Sequence, residues 1–171
     1  MCGGVTVYTA LKRAGIVHGN WVMVTGAGGG FGHLGIQYAR ALGARVLAMD
    51  SGEKEDFCRS LGAEEFLEFS AYTDDEKLTD EVKRITGGGA RVVLMCVSSG
   101  RAYAQAVSFL GFRGKLACLG VPSGPKSPIA GAVVEDMIQN EATIFGGWQA
   151  SVTLECILTN TSSQRSNQEI D

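Results

Sequence analysis

The chain has 171 residues, 45% of them hydrophobic and 19% charged, with a formal net charge of −3. That balance suits an ordinary globular domain with a sizeable core and excludes the basic footprint of a nucleic-acid binder. No apolar run reaches the ~18 residues of a membrane span, and the opening MCGGVTVYTALK lacks the basic-then-apolar pattern of a signal peptide, so a cytoplasmic protein is expected. Five dispersed cysteines, Cys2, Cys58, Cys96, Cys118 and Cys156, form no C-x-x-C pair and read as reduced thiols.

Residues 5–14 (VTVYTALKRA) predict a helix stopped by Gly15, followed by a turn in which His18 is a solvated residue rather than a ligand. A short apolar run, Trp21 to Val24, predicts a strand that ends near Thr25. It runs into five glycines within seven residues: Gly26, Gly28, Gly29, Gly30 and Gly32. Leu34, Tyr38, Ala41 and Leu42 then share one face of a helix. Strand, glycine turn and helix together form the geometry that holds a pyrophosphate. Glycines let backbone N–H groups approach the phosphates, and the helix start adds roughly half a positive charge.

Eighteen residues after Gly32, at the end of a second apolar run, stands Asp50. A carboxylate about 20 residues past such a turn is placed to grip ribose hydroxyls. The literal G-x-G-x-x-G match, Gly30, Gly32 and Gly35, begins after the strand has ended. The register that fits is Ala27, Gly29 and Gly32, with one extra residue in the turn. His33 reads as a polar helix start rather than a phosphate ligand.

Further on, residues 51–62 predict a helix with Phe57, Cys58 and Leu61 on one face, and 64–69 a short strand. Residues 74–86 predict an amphipathic helix stopped by Gly87–Gly89. Asp74 and Asp75 lie at its positive end and Lys83 and Arg84 at its negative end, which accounts for the acids without a binding site. ARVVLMCV (90–97) and GKLACLGV (114–121) are nearly all apolar, the mark of central parallel strands buried on both faces. A helix over 98–111 joins them, and a loop with all three prolines, a helix over 130–141 and a strand over 142–148 follow. Strands alternating with helices predict an α/β fold, a Rossmann doubly wound parallel six-stranded sheet with ligands at the carboxyl ends of its strands. Residues 1–150 read as one dinucleotide-binding domain. Residues 151–171 depart in composition, and 159–171 read as a disordered tail. The apolar sixth strand predicts a sheet edge able to pair with a second subunit.

CGGVTVYTALKRAG, WVMVTGAGGGFGHLGIQYARALGARVLAMD and GKLACLGVPSG, in that order, resemble the zinc-containing medium-chain alcohol dehydrogenases, above all their microbial tetrameric branch. The resemblance covers about 1–148. It implies NAD-dependent oxidation of a small alcohol, or reduction of the aldehyde or ketone, by hydride transfer. It places Gly26, Ala27, Gly28, Gly29, Gly30, Phe31 and Gly32 at the pyrophosphate, Asp50 and Lys54 at the adenosine ribose, and Leu119, Gly120 and Val121 at the nicotinamide carboxamide. Thr6 would stand beside the nicotinamide, and Cys2 would be one of three ligands to a catalytic zinc. The domain that supplies the other two ligands in the family has no counterpart here. The expectation is therefore a coenzyme-binding domain cut at both ends, inactive by itself.

Two other readings stay open. One is a zinc-less quinone or enoyl reductase relative using NADPH, against which Asp50 and Cys2 argue. The other is a non-catalytic nucleotide-binding assembly module.

Overall fold

In the computed structural model, residues 2–122, 128–129 and 131–147 are described. The tail 151–171, Trp148 and most of the proline-bearing loop lie outside them. Six parallel strands form one sheet: β1 (Trp21–Thr25), β2 (Arg45–Asp50), β3 (Glu65–Glu68), β4 (Ala90–Met95), β5 (Leu110–Cys118) and β6 (Thr143–Gly146). Their spatial order is β3-β2-β1-β4-β5-β6. The chain winds outward from β1 in one direction and, after crossing back to β4, outward in the other. The carboxyl ends of β1 and β4 therefore flank a switch point, where crossover loops diverge and leave a crevice.

The strands are apolar throughout because helices cover both faces. Val22, Val24, Val46, Ala48, Val92 and Leu94 point to one face, where α1 (Cys2–Ala14) and α2 (Gly32–Ala41) pack with Cys58 of α3 (Glu55–Ser60). Met23, Leu47, Met49, Val93, Met95 and Leu116 point to the other. They meet Leu78 and Val82 of α4 (Asp75–Thr86) and Tyr103 and Ala106 of α5 (Gly100–Ala106). A last short helix, α6 (Val134–Gln139), precedes β6.

The structure departs from the sequence-based elements at several points; the helix expected over 98–111, for one, ends at Ala106 and is followed by a 3-10 turn at Val107–Phe109. Helix α1 begins at Cys2 rather than Val5, since its two early glycines let it lie close to α2, with Gly3 against the Phe31 ring. The helix expected over 51–62 splits into a 3-10 turn at Gly52–Lys54 and α3. Strand β4 stops at Met95, where the Thr25 hydroxyl donates to the Leu94 carbonyl and accepts the Cys96 N–H, at 3.3 and 3.2 Å. Strand β5 starts four residues earlier than expected and bulges: Ala90 pairs with Leu110, but Val92 pairs with Lys115. The looped-out residues include Arg113 at φ 57°, bonded through Nε to Glu141 at φ 47°, Oε2 2.6 Å away.

Close packing of α2 on the sheet depends on Gly35. A Cβ there would stand 2.7 Å from Leu94 Cδ2 and 3.3 Å from Val24 Cγ1, both in the core. Alanine gains helix propensity, but overpacking against two buried side chains costs more. Gly35→Ala is expected to lower the unfolding free energy by about 1–2 kcal/mol in urea titration; an unchanged or raised midpoint would refute this packing.

Candidate functional site: the glycine turn and the crevice at the sheet switch point

Thr25 ends β1 and the chain turns at Gly26, whose φ is 61°. Helix α2 begins six residues later, pressed onto the turn. A Cβ on Gly32 would overlap the Gly26 carbonyl oxygen and lie 2.6 Å from Ala27 Cα. Ala27, fully buried, donates its N–H to Met49 O at 3.2 Å and ties the turn to β2. Gly29 N–H bonds Gly26 O, and His33 N–H bonds Gly29 O, both at 3.0 Å. The N–H groups of Gly30, Phe31 and Gly32 make no hydrogen bond to another described residue. They form a donor row at the start of a helix with no side-chain cap, which is the arrangement that takes an anion.

Asp50 stands beside this turn. Its Oδ2 accepts the Gly28 N–H at 2.8 Å and its Oδ1 accepts the Ser51 N–H at 2.7 Å. The stem of Lys54 lies over Gly28, close enough that a Cβ there would be 3.0 Å from Lys54 Cγ. The structure thus brings Gly26 to Gly32, Asp50 and Lys54 into one cluster. Phe31 faces the start of α1, so Cys2 lies at the same end of the sheet. The buried Thr6 hydroxyl donates to Cys2 O at 3.0 Å. His33 turns its Nδ1 to within 2.9 Å of Gly29 O, and exposed His18 lies at the opposite end of the sheet, against Gly43.

At the end of β5, Leu119 N–H and Gly120 N–H both bond Met95 O, at 3.1 and 2.9 Å. Gly120 O accepts the Tyr103 hydroxyl at 2.6 Å, and Val121 is exposed. These two turned amides end β5 at Cys118, short of the expected Val121.

A cavity of about 280 Å³ opens between the two halves of the sheet, beside Asp50. Thr25, Met49, Leu78, Val97 and Phe109 give it apolar walls, and Phe69, Asp75 and Arg101 stand among its other lining residues. Asp75 and Arg101 form an ion pair of 2.9 Å, and Gln105 Nε2 donates to Asp75 O at 3.0 Å. Sequence reasoning missed this cavity because its walls come from α4 and α5 as well as from the strand ends. Asp74 does cap α4, accepting the Glu76 N–H at 2.9 Å. Asp75, explained from sequence by the helix terminus alone, also lines the cavity. The topology was the available signal, since parallel order brings the N-termini of α4 and α5 to this end of the sheet.

Among the described residues no group of three or more His, Cys, Asp and Glu side chains is placed to hold a metal ion. The residues present do not fit a catalytic zinc, which needs three protein ligands and an open position.

Sheet order, the turn at the switch point and the acid ending β2 define a Rossmann-type α/β nucleotide-binding domain. Residues 30–162 match the family described as zinc-binding dehydrogenase. The chain is 38% identical over 152 residues to alcohol dehydrogenase 2 of Emericella nidulans, covering 85% of this chain and 41% of that one. In structure it resembles a 2-haloacrylate reductase (TM-score 0.73, 31% identity, 85% of this chain and 44% of that one). It also resembles a quinone oxidoreductase of Pseudomonas syringae pv. Tomato (TM-score 0.72, 27% identity, 87% and 45%). The chain belongs to the zinc-type medium-chain alcohol dehydrogenase family, as its coenzyme-binding domain. It spans about two fifths of the length of the curated relatives it matches.

Under the site, Cys58 has its thiol pushed up from 9.0 to about 11, by burial first and then by the Asp50 carboxylate, against an opposing pull from Lys54. Between these values the folded chain keeps a proton the unfolded chain releases, so stability falls as pH rises. The unfolding free energy is expected to decline from pH 9 towards 11, less steeply in Cys58→Ala. Identical slopes for the two proteins in urea titrations across that range would contradict the assignment.

Proposed function

We propose that this chain is the NAD(H)-binding domain of a zinc-dependent alcohol dehydrogenase, which interconverts an alcohol and an aldehyde or ketone by hydride transfer. The observation that carries the proposal is the cluster of Asp50 with the glycine turn: a carboxylate bonded to Gly28 N–H, beside three N–H donors with no hydrogen-bond partner among the described residues. The pyrophosphate would take the donors of Gly30, Phe31 and Gly32, with Gly26, Ala27, Gly28 and Gly29 shaping the turn. Asp50 would accept from the ribose hydroxyls, with Lys54 alongside. The apolar cavity beside Asp50 would receive the adenine, and Asp75 and Arg101 would border it.

A 2′-phosphate would bring like charge against Asp50, which supports NAD over NADP. By the same reading Leu119, Gly120 and Val121 meet the nicotinamide, Thr6 stands on its far side, and Cys2 would contribute one of three zinc ligands. Zinc would supply Lewis-acid polarisation of the alcohol in the whole enzyme. What this chain's residues do is bind and orient the coenzyme. Hydride transfer needs reacting atoms about 3–3.5 Å apart, and that cleft requires the remainder of a family-length chain. The isolated chain is accordingly read as lacking turnover, cytoplasmic, and able to associate through the β6 edge, beyond which no described strand lies.

A second reading, an NADPH-dependent reductase, has support from the likeness to structures named as quinone oxidoreductase and 2-haloacrylate reductase. Titration with NADH and NADPH by nicotinamide fluorescence separates the two. NADH is expected to bind at least about tenfold more tightly, a difference of ~1.4 kcal/mol. Asp50→Asn, which keeps an acceptor for Gly28 N–H but removes the charge, should shrink that ratio to within a few-fold. Tighter NADPH binding would favour the reductase, and a folded chain that saturates with neither would remove both readings. Steady alcohol-dependent NADH formation by the zinc-replete chain would contradict its lack of turnover.

A further inference from the structure

We infer that Tyr103 is a positioning residue for the nicotinamide half of the coenzyme, holding the backbone of residues 119–121 from behind through its hydroxyl. The inference rests on the proposed dinucleotide-binding reading. In a doubly wound sheet each half takes one nucleoside across the switch point. Asp50 ends β2, in the β1–β3 half, so the other nucleoside falls to the β4–β6 half. There the chain leaving β5 presents Val121, 70% exposed, directly after two residues locked in place.

The lock has three parts. Leu119 N–H and Gly120 N–H share Met95 O. Gly120 lies so tightly on the end of β4 that a Cβ would overlap Val97 O and stand 2.6 Å from Val97 C. Tyr103, 5% exposed on α5, donates its hydroxyl to Gly120 O at 2.6 Å. Burial raises the Tyr103 hydroxyl's pKa, with the neighbouring Cys118 and Cys96 adding to the effect, so it stays a donor across the working range of pH. Remove that hydroxyl and the Gly120 carbonyl loses its partner. A buried carbonyl without one is costly, and the peptide plane reorients to find another. Because that plane also carries the Val121 N–H, its rotation displaces the surface offered to the ring.

The test compares NADH with ADP-ribose, which lacks the nicotinamide, on the full chain and on Tyr103→Phe. The variant keeps the ring that fills the core. NADH affinity should fall about fivefold to tenfold, towards that of ADP-ribose, while ADP-ribose affinity stays within about twofold. Equal losses for both ligands would mean a general structural role and would overturn the inference, as would unchanged NADH affinity. Amide hydrogen exchange decides the same point without nucleotide. Leu119 and Gly120 should exchange at least about tenfold faster in the variant, with Val93 and Leu94 unchanged. Unaltered exchange at 119–120 overturns the inference even if the chain binds neither ligand, an outcome that would separately refute the proposed function.

Discussion

Helix α2 starts in contact with the turn that precedes it, and much of the site's geometry depends on that contact. Gly32 has no space for a Cβ because the Gly26 carbonyl and Ala27 Cα occupy it. This closeness folds the turn back on itself, so that Gly29 bonds Gly26 while the next three N–H groups have no hydrogen-bond partner among the described residues. Gly35, one helical turn on, lets the same helix settle against Leu94 and Val24. The helix axis, the donor row and the strand end are thereby set by two missing methyl groups. A side chain at Gly32 would move the helix start, and with it the partial positive charge that an anion would feel.

The second constraint is how the polar groups around the switch point are shared. Asp50 has both oxygens engaged, one on the turn and one on its own strand end. A ribose at Asp50 would therefore meet a carboxylate already held in place, with spare lone pairs rather than a freely rotating side chain. Thr25 ties β1 to β4 through Leu94 and Cys96, and Met95 O takes two amides from the end of β5. Each strand end at the crevice is bonded to its neighbour. Preorganisation of this kind lowers the ordering cost of binding. The exposed ion pairs, such as Arg45 with Glu64 and Arg59 with Glu55, contribute little by comparison, since solvent screens them.

Much of this was legible in the sequence. Strands buried on both faces are nearly all apolar, so β1, β2, β4 and the second half of β5 stood out as runs. Asp50 is marked by its place at the end of an apolar run and by its distance from the glycines, because the βαβ unit has a nearly constant length. Features built by contacts distant in sequence were not legible. Arg113 adopts a left-handed conformation beside Glu141, 28 residues away, and nothing local marks the bulge it belongs to. The cavity joins β1 and β2 to Asp75 and Arg101, which are brought together only by the sheet order. Nothing local marks Tyr103 within its helix, since its partner is a backbone carbonyl 17 residues on. Gly3 and Gly4 disguised the first turn of α1, because low intrinsic helix propensity was outweighed by packing against α2.

The central claim is that a dinucleotide lies across the glycine turn with its adenosine at Asp50. Backbone amide resonances of the chain, followed while NADH is added, test it most directly. The account predicts the largest shifts at Gly29 to Gly32 and at Ser51, with Gly19 and Gly43 at the opposite end of the sheet unmoved. Saturable shifts that leave the glycine turn untouched would contradict it.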